Sequence, residues 1–192
     1  MKAEYALSHR SALYRITFEA DKPVYIIINS RNGSIHVGEN FISGHQQLSD
    51  NTNVYVYIEP QEKPVSTGVL ENGVIEASKD NANGTNACAA WRFADGTTTI
   101  NLRYGISFIS EEQAEKNLRS ELGDYDINKL AETGRRIWNE ALGRIKVEGG
   151  TENDKTVLYS SFYRTFERPI CMSEDGGLYF SAFDGKVHND NG

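Results

Sequence analysis

Hydrophobic and polar positions follow two different periods along this chain, and the change falls at Ser110. From about Ala3 to Ser110 the pattern is that of β-strands. Ala12-Leu13-Tyr14-Arg15-Ile16-Thr17-Phe18 alternates as a half-buried strand must, and Val24-Tyr25-Ile26-Ile27-Ile28 reads as a strand buried on both faces. Val54-Tyr55-Val56-Tyr57-Ile58 is a further β-branched and aromatic run. Turn pairs separate these runs: Asn32-Gly33, Asn72-Gly73 and Asp95-Gly96. Residues 81–86, rich in Asn and Gly, read as a flexible loop. Strands recurring at this spacing predict an antiparallel β-sandwich of about eight to ten strands.

After Ser110 the period becomes helical. Ser110-Glu111-Glu112-Gln113 is a capping box that opens a helix to about Leu122. Asp126 caps a longer helix whose apolar stripe is Ile127, Leu130, Ala131, Gly134, Ile137, Trp138, Ala141, Leu142 and Ile145. Thr151 with Asp154 makes a second capping-box start. The helix that follows presents Val157, Leu158, Phe162 and Phe166 on one face, and Pro169 stops it. The pattern divides the chain into a sandwich over 1–110, a helical linker over 111–150 and a third part over 151–192.

Composition narrows the classes. The 192 residues carry a net charge of −7, and their basic residues are scattered, which argues against a nucleic-acid partner. No apolar run approaches the roughly 20 residues that span a bilayer, so no membrane is expected, and no signal peptide is read at Met1. Cys88 and Cys171 read as unpaired buried thiols, and His9, His36, His45 and His188 have no metal-ligand spacing. Trp91 and Trp138 read as core residues.

Chemistry concentrates after Pro169. Glu174, Asp175, Asp184 and His188 stand beside Tyr179, Phe180 and Phe183. Aromatic faces stack on pyranose rings while carboxylates and imidazoles bond the hydroxyls, so the segment suits a sugar. The plain alternative is an exposed loop whose Asp and Gly residues make turns.

Several spaced motifs then form a pattern. Arg103, Gly105, Ser107, Phe108 and Ser110, followed by Ala114 and Asn117-Leu118, resemble the strand-to-helix junction of glycoside hydrolase family 92. Trp138-Asn139 with Leu142, Ile145 and Val147 is similar to that family's linker helix. Tyr159 to Thr165, Pro169, Asp175-Gly176, Tyr179 and the run from Asp184 to His188 are similar to its first barrel helix and the loop after it.

The resemblance implies an α+β fold: an antiparallel β-sandwich, incomplete at its front, then linker helices and the first helix of an (α/α)6 barrel. It implies an exo-α-mannosidase that releases terminal mannose from glycans with inversion, assisted by calcium. The general acid, the general base and most calcium ligands are expected downstream of this chain, which alone is expected to be inactive. Asp184 is the residue expected to accept hydrogen bonds from the terminal sugar, with Tyr179 and His188 as neighbours and His45 on a sandwich loop near the pocket. The expected partners are mannose-containing glycans and either the remainder of the parent enzyme or a second copy through exposed edges. Bacterial members are expected in the periplasm or outside the cell. The competing reading is a non-enzymatic β-sandwich that binds carbohydrate.

Overall fold

The computed structural model describes residues 1–19 and 22–191. Eleven strands precede the helices, more than the eight to ten expected. They are β1 (Lys2–Leu7), β2 (Ser11–Thr17), β3 (Tyr25–Ser30), β4 (Gly33–Val37), β5 (Ile42–Ser49), β6 (Thr52–Pro60), β7 (Ser66–Glu71), β8 (Val74–Glu76), β9 (Asn81–Gly84), β10 (Ala87–Arg92) and β11 (Thr99–Ser107). They build a seven-stranded sheet in the order β1-β2-β11-β6-β5-β4-β9 and a four-stranded sheet in the order β3-β10-β7-β8, with every pairing antiparallel.

Two strands, one of them unexpected, correct the sequence reading. Asn81–Gly84 is β9, an edge strand paired with β4, and not a loop. Its Asn and Gly residues have low strand propensity, and backbone pairing to a neighbour overrides it. β3 is also an edge strand: Ile26 is buried, whereas Tyr25 and Ile27 face out at 46% and 57% exposure, so its apolar run is not covered on both faces. The Asn72-Gly73 turn forms as expected. Glu71 pairs with Val74, and both turn residues take the positive φ that a two-residue hairpin needs.

The larger sheet has two covered faces. Between the sheets, Val24, Ile35, Ile42, Val69, Trp91, Phe93 and Ile100 form the main core. On the opposite face, Leu13 and Tyr57 pack against Ala114 and Leu118 of α1 (Glu111–Glu121), against Leu122 at its C-cap, and against Ile127, the first residue of α2 (Ile127–Leu142). Each fully buried Leu or Ile there is worth about 1.5–3 kcal/mol. The helix can lie this close to β11 because position 105 is glycine: a Cβ there would stand 2.3 Å from the Ala114 carbonyl oxygen.

Capping chemistry explains the helix starts. Ser110 accepts from the Gln113 amide at 3.1 Å. The reciprocal half of that box does not form, because the Gln113 side chain turns instead to Asn117 and to the Asp175 carbonyl. Thr151 and Asp154 complete both halves of their box at the start of α3 (Glu152–Arg164). The apolar stripe of α2 is mostly not core. Only Ile127 is buried, Ile137 is 49% exposed, and Trp138 is 37% exposed against Tyr163 and Phe166. Trp138 is therefore a helix-pair residue rather than a core one, while Trp91 is buried as expected. Both cysteines are free, but Cys171 is exposed and Cys88 only half-buried.

Candidate functional site

The segment after Pro169 is not loop throughout. It folds into a hairpin of β12 (Leu178–Ser181) and β13 (Lys186–Asn189), whose turn is closed by the Gly185 amide donating to the Ser181 carbonyl at 2.8 Å. Gly192, at the end of the polar run, lies outside the described residues. Tyr179 and His188 are directly opposed across the two strands, so their side chains share one face. Their rings stack 5.5 Å apart at 26°. His188 Nε2 lies 2.9 Å from Asp184 Oδ2. Three of the four expected sugar contacts thus form one cluster on one hairpin.

The fourth does not join them. His45 sits in β5, where its Nδ1 meets the Ser34 hydroxyl at 2.7 Å and its ring packs on Tyr55. Neither partner belongs to the hairpin.

Asp184 has the electrostatics of an acceptor. Hydrogen bonds from Ser181, and then from His188 and the Lys186 amide, hold its carboxyl below the usual carboxylate range. An anion beside an imidazole and an aromatic face can bond sugar hydroxyls while a ring stacks alongside. Phe183, wholly exposed at the hairpin tip, adds apolar surface next to Asp184.

Glu174 departs from its expected role. It is 6% exposed, and its carboxylate accepts from the Ser107 hydroxyl at 2.5 Å, the Phe108 amide at 2.8 Å and Asn117 Nδ2 at 2.9 Å. It faces the protein and not a ligand. Asn117 also donates to the Ile106 carbonyl and accepts from the Asp175 amide. The Arg10 guanidinium adds a bond to the Cys171 carbonyl at 2.6 Å. These residues hold the start of the hairpin against β11 and α1. The sequence signal for them is slight: Ser107 and Asn117 stand in the junction motif, but nothing ties them to an acid 67 and 57 residues further on. Among the described residues no three His, Cys, Asp or Glu side chains converge to hold a metal ion.

The sequence profile of the glycosyl hydrolase family 92 N-terminal domain matches residues 1–107, more than half of the chain, and that of the family's catalytic domain matches residues 113–192. The chain belongs to glycosyl hydrolase family 92. Solved family 92 structures share its fold across nearly its whole length. An inverting family GH92 mannosidase from Bacteroides thetaiotaomicron superposes with a TM-score of 0.87 at 26% identity, over 97% of this chain and 27% of that one. A family GH92 alpha-mannosidase from the same organism gives 0.83 at 19% identity, over 97% and 28%, and supports the fold alone. An uncharacterized secreted glycosidase of Arthroderma benhamiae is 31% identical over 102 residues, or 47% of this chain and 13% of that protein. The chain therefore spans about an eighth of that curated relative and about a quarter of the solved structures. The β-sandwich followed by the opening of the helical catalytic region is the family 92 arrangement. The catalytic-domain match extends over the helices and the hairpin, which a stand-alone β-sandwich binding module does not need. No helix among the described residues is long and apolar enough to cross a membrane.

Proposed function

We propose that this chain supplies one wall of the sugar site of an α-mannosidase that removes terminal mannose from glycans with inversion. The observation that carries this reading is the convergence of Asp184, His188 and Tyr179 on a hairpin inside the stretch matched by the catalytic-domain profile. The inverting mannosidase among its structural relatives, at 26% identity, suggests the substrate class.

In this reading Asp184 accepts hydrogen bonds from the hydroxyls of the terminal mannose, His188 orients Asp184, and the Tyr179 ring packs along the pair. Asp184 is not the general acid. An acid must hold a proton at working pH, which calls for a raised pKa, and its neighbours push Asp184 the other way. Glu174 cannot serve either, since both of its oxygens are committed inside the protein. Inversion requires two carboxyl groups about 6.5–9.5 Å apart on either side of the scissile bond. We assign that pair to parts of the enzyme that this chain does not span. Calcium would likewise take its ligands elsewhere, since Asp184 and His188 are only two donors. A secreted or periplasmic enzyme accords with the secreted relative.

The test is product stereochemistry. The full-length enzyme acting on an α-mannobioside should release β-mannose first, seen by proton NMR, and the 192-residue chain alone should release none. First release of α-mannose would overturn inversion, and turnover by the chain alone would overturn the placement of the acid and base.

A further inference from the structure

Among the described residues two carboxylates are buried, Glu59 and Glu174. Glu59 is paired with Arg103 and Arg119. Glu174 has no cation and is held only by neutral donors. Burying an anion this way is unfavourable compared with an apolar side chain of the same size, so stability alone does not account for it.

The connections of Glu174 suggest what does. Its side chain reaches three points of the sheet-to-helix junction: Ser107 at the end of β11, the Phe108 amide just after it, and Asn117 in the middle of α1. Its backbone closes the loop that launches the hairpin, donating to the Leu178 carbonyl at 2.7 Å and accepting from the Gly177 amide at 3.0 Å. Asp175 continues the attachment, with its amide on Asn117 Oδ1 at 3.0 Å and its carbonyl on Gln113 Nε2 at 2.8 Å. The hairpin itself is half-buried or exposed at every position. Two strands alone are marginally stable in water, so the location of this pair depends on what holds its base.

We propose that Glu174 is a positioning residue, whose buried carboxylate fixes the hairpin bearing Tyr179, Asp184 and His188 in one orientation against the sandwich–helix junction. That the hairpin meets a mannose rests on the function proposed above; that Glu174 fixes it does not. A carboxylate is required because both oxygens act as acceptors. Oε1 takes the Phe108 amide, and Oε2 takes Ser107 and Asn117. An amide offers one oxygen, and either orientation turns its NH2 toward a donor.

Amide hydrogen exchange on the 192-residue chain tests this. Glu174→Gln should speed exchange across Leu178–Asn189 by about tenfold or more, as local opening does, while amides of β6 and β10 stay as in the wild type and the melting temperature falls by no more than about 4 °C. Should that variant fail to fold, Gln113→Ala, which removes only the bond to the Asp175 carbonyl, should loosen the same amides to a smaller degree. Unchanged hairpin exchange in a folded variant would overturn the positioning role. So would a rise spread over the whole sandwich with a lower melting temperature, the mark of a merely stabilising residue. Titration with methyl α-mannoside separates the two readings. If the wild type shows no hairpin response to the sugar, the mannose assignment falls and the exchange result still decides the role of Glu174.

Discussion

Gly105→Ala is the substitution whose cost can be worked most directly from the packing of α1 on β11. The added Cβ would stand 2.3 Å from the Ala114 carbonyl oxygen, 2.9 Å from Leu118 Cβ and 3.1 Å from the Leu118 nitrogen. Ordinary contacts between such atoms are about 3.5–4.0 Å, so the helix must retreat by roughly 1 Å. Most of the opposing atoms belong to helix backbone and cannot swing aside. Ala114, Asn117 and Leu118 are all fully buried on that face, and Asn117 holds both the Ile106 carbonyl and Glu174. Overpacking costs about 1–3 kcal/mol, and a weakened buried hydrogen bond adds about 1 kcal/mol. The loss of unfolded-state freedom on replacing glycine returns about 0.4–1 kcal/mol. The net is about 2 kcal/mol, which for a chain of this size lowers Tm by roughly 4–8 °C. Gly134→Ala is the matched control: it lies within α2 with nothing inside 4 Å of the new Cβ, and it should stabilise by about 0.5–1 kcal/mol. Thermal melts followed by circular dichroism give both values. A Gly105→Ala melt within about 2 °C of the wild type would refute the close approach of α1 to β11.

Two other outcomes follow from charge and exposed surface. Burial raises the Glu59 pKa, but hydrogen bonds and charge from Arg119 and Arg103 outweigh it, so the group titrates below its ordinary 4.5. A depressed folded pKa gives stability that is present above the unfolded value and lost as pH falls through the folded one. Glu59→Gln should therefore cost about 3 kcal/mol at neutral pH, leaving the largely enclosed Arg103 without its carboxylate, and the gap to the wild type should narrow as pH falls below 4.5. A gap that stays constant into acid would contradict the pairing. The exposed Ile137, Val157, Leu158, Tyr163, Phe166 and Ile170 leave much apolar surface on the helical side, and β3 has a free edge. The isolated chain should self-associate, giving a scattering mass that rises with concentration; a single-chain mass at every concentration would count against it.

Local signals carried most of the architecture. The Asn72-Gly73 and Asp95-Gly96 turns, the Ser110, Asp126 and Thr151 caps and the switch of period act within a few residues, and each is found where the sequence reading put it, whereas Gly33 of the Asn32-Gly33 pair opens β4. Readings that needed knowledge of neighbours fared less well. The apolar run of β3 could not announce that one face lacks a covering strand, and the stripe of α2 could not announce that only Ile127 reaches the sheet. Trp91 and Trp138 look alike as apolar positions; cross-strand neighbours bury the first, while the second meets Tyr163 of α3 and Phe166 just after it. At the hairpin, the Tyr179–His188 and Asp184–His188 contacts follow from strand register over ten residues and were nearly legible. The turn from ligand contact to buried anchor at Glu174 was not, because its donors come from β11 and α1.

The measurement that bears most directly on the central claim is an NMR titration of the chain with methyl α-mannoside, following the ring resonances of Tyr179 and His188. The account predicts saturable shifts at these two rings, absent with the galactoside and abolished by Asp184→Asn with hairpin exchange unchanged. Shifts confined to other surfaces, or an equal response in Asp184→Asn, would contradict it.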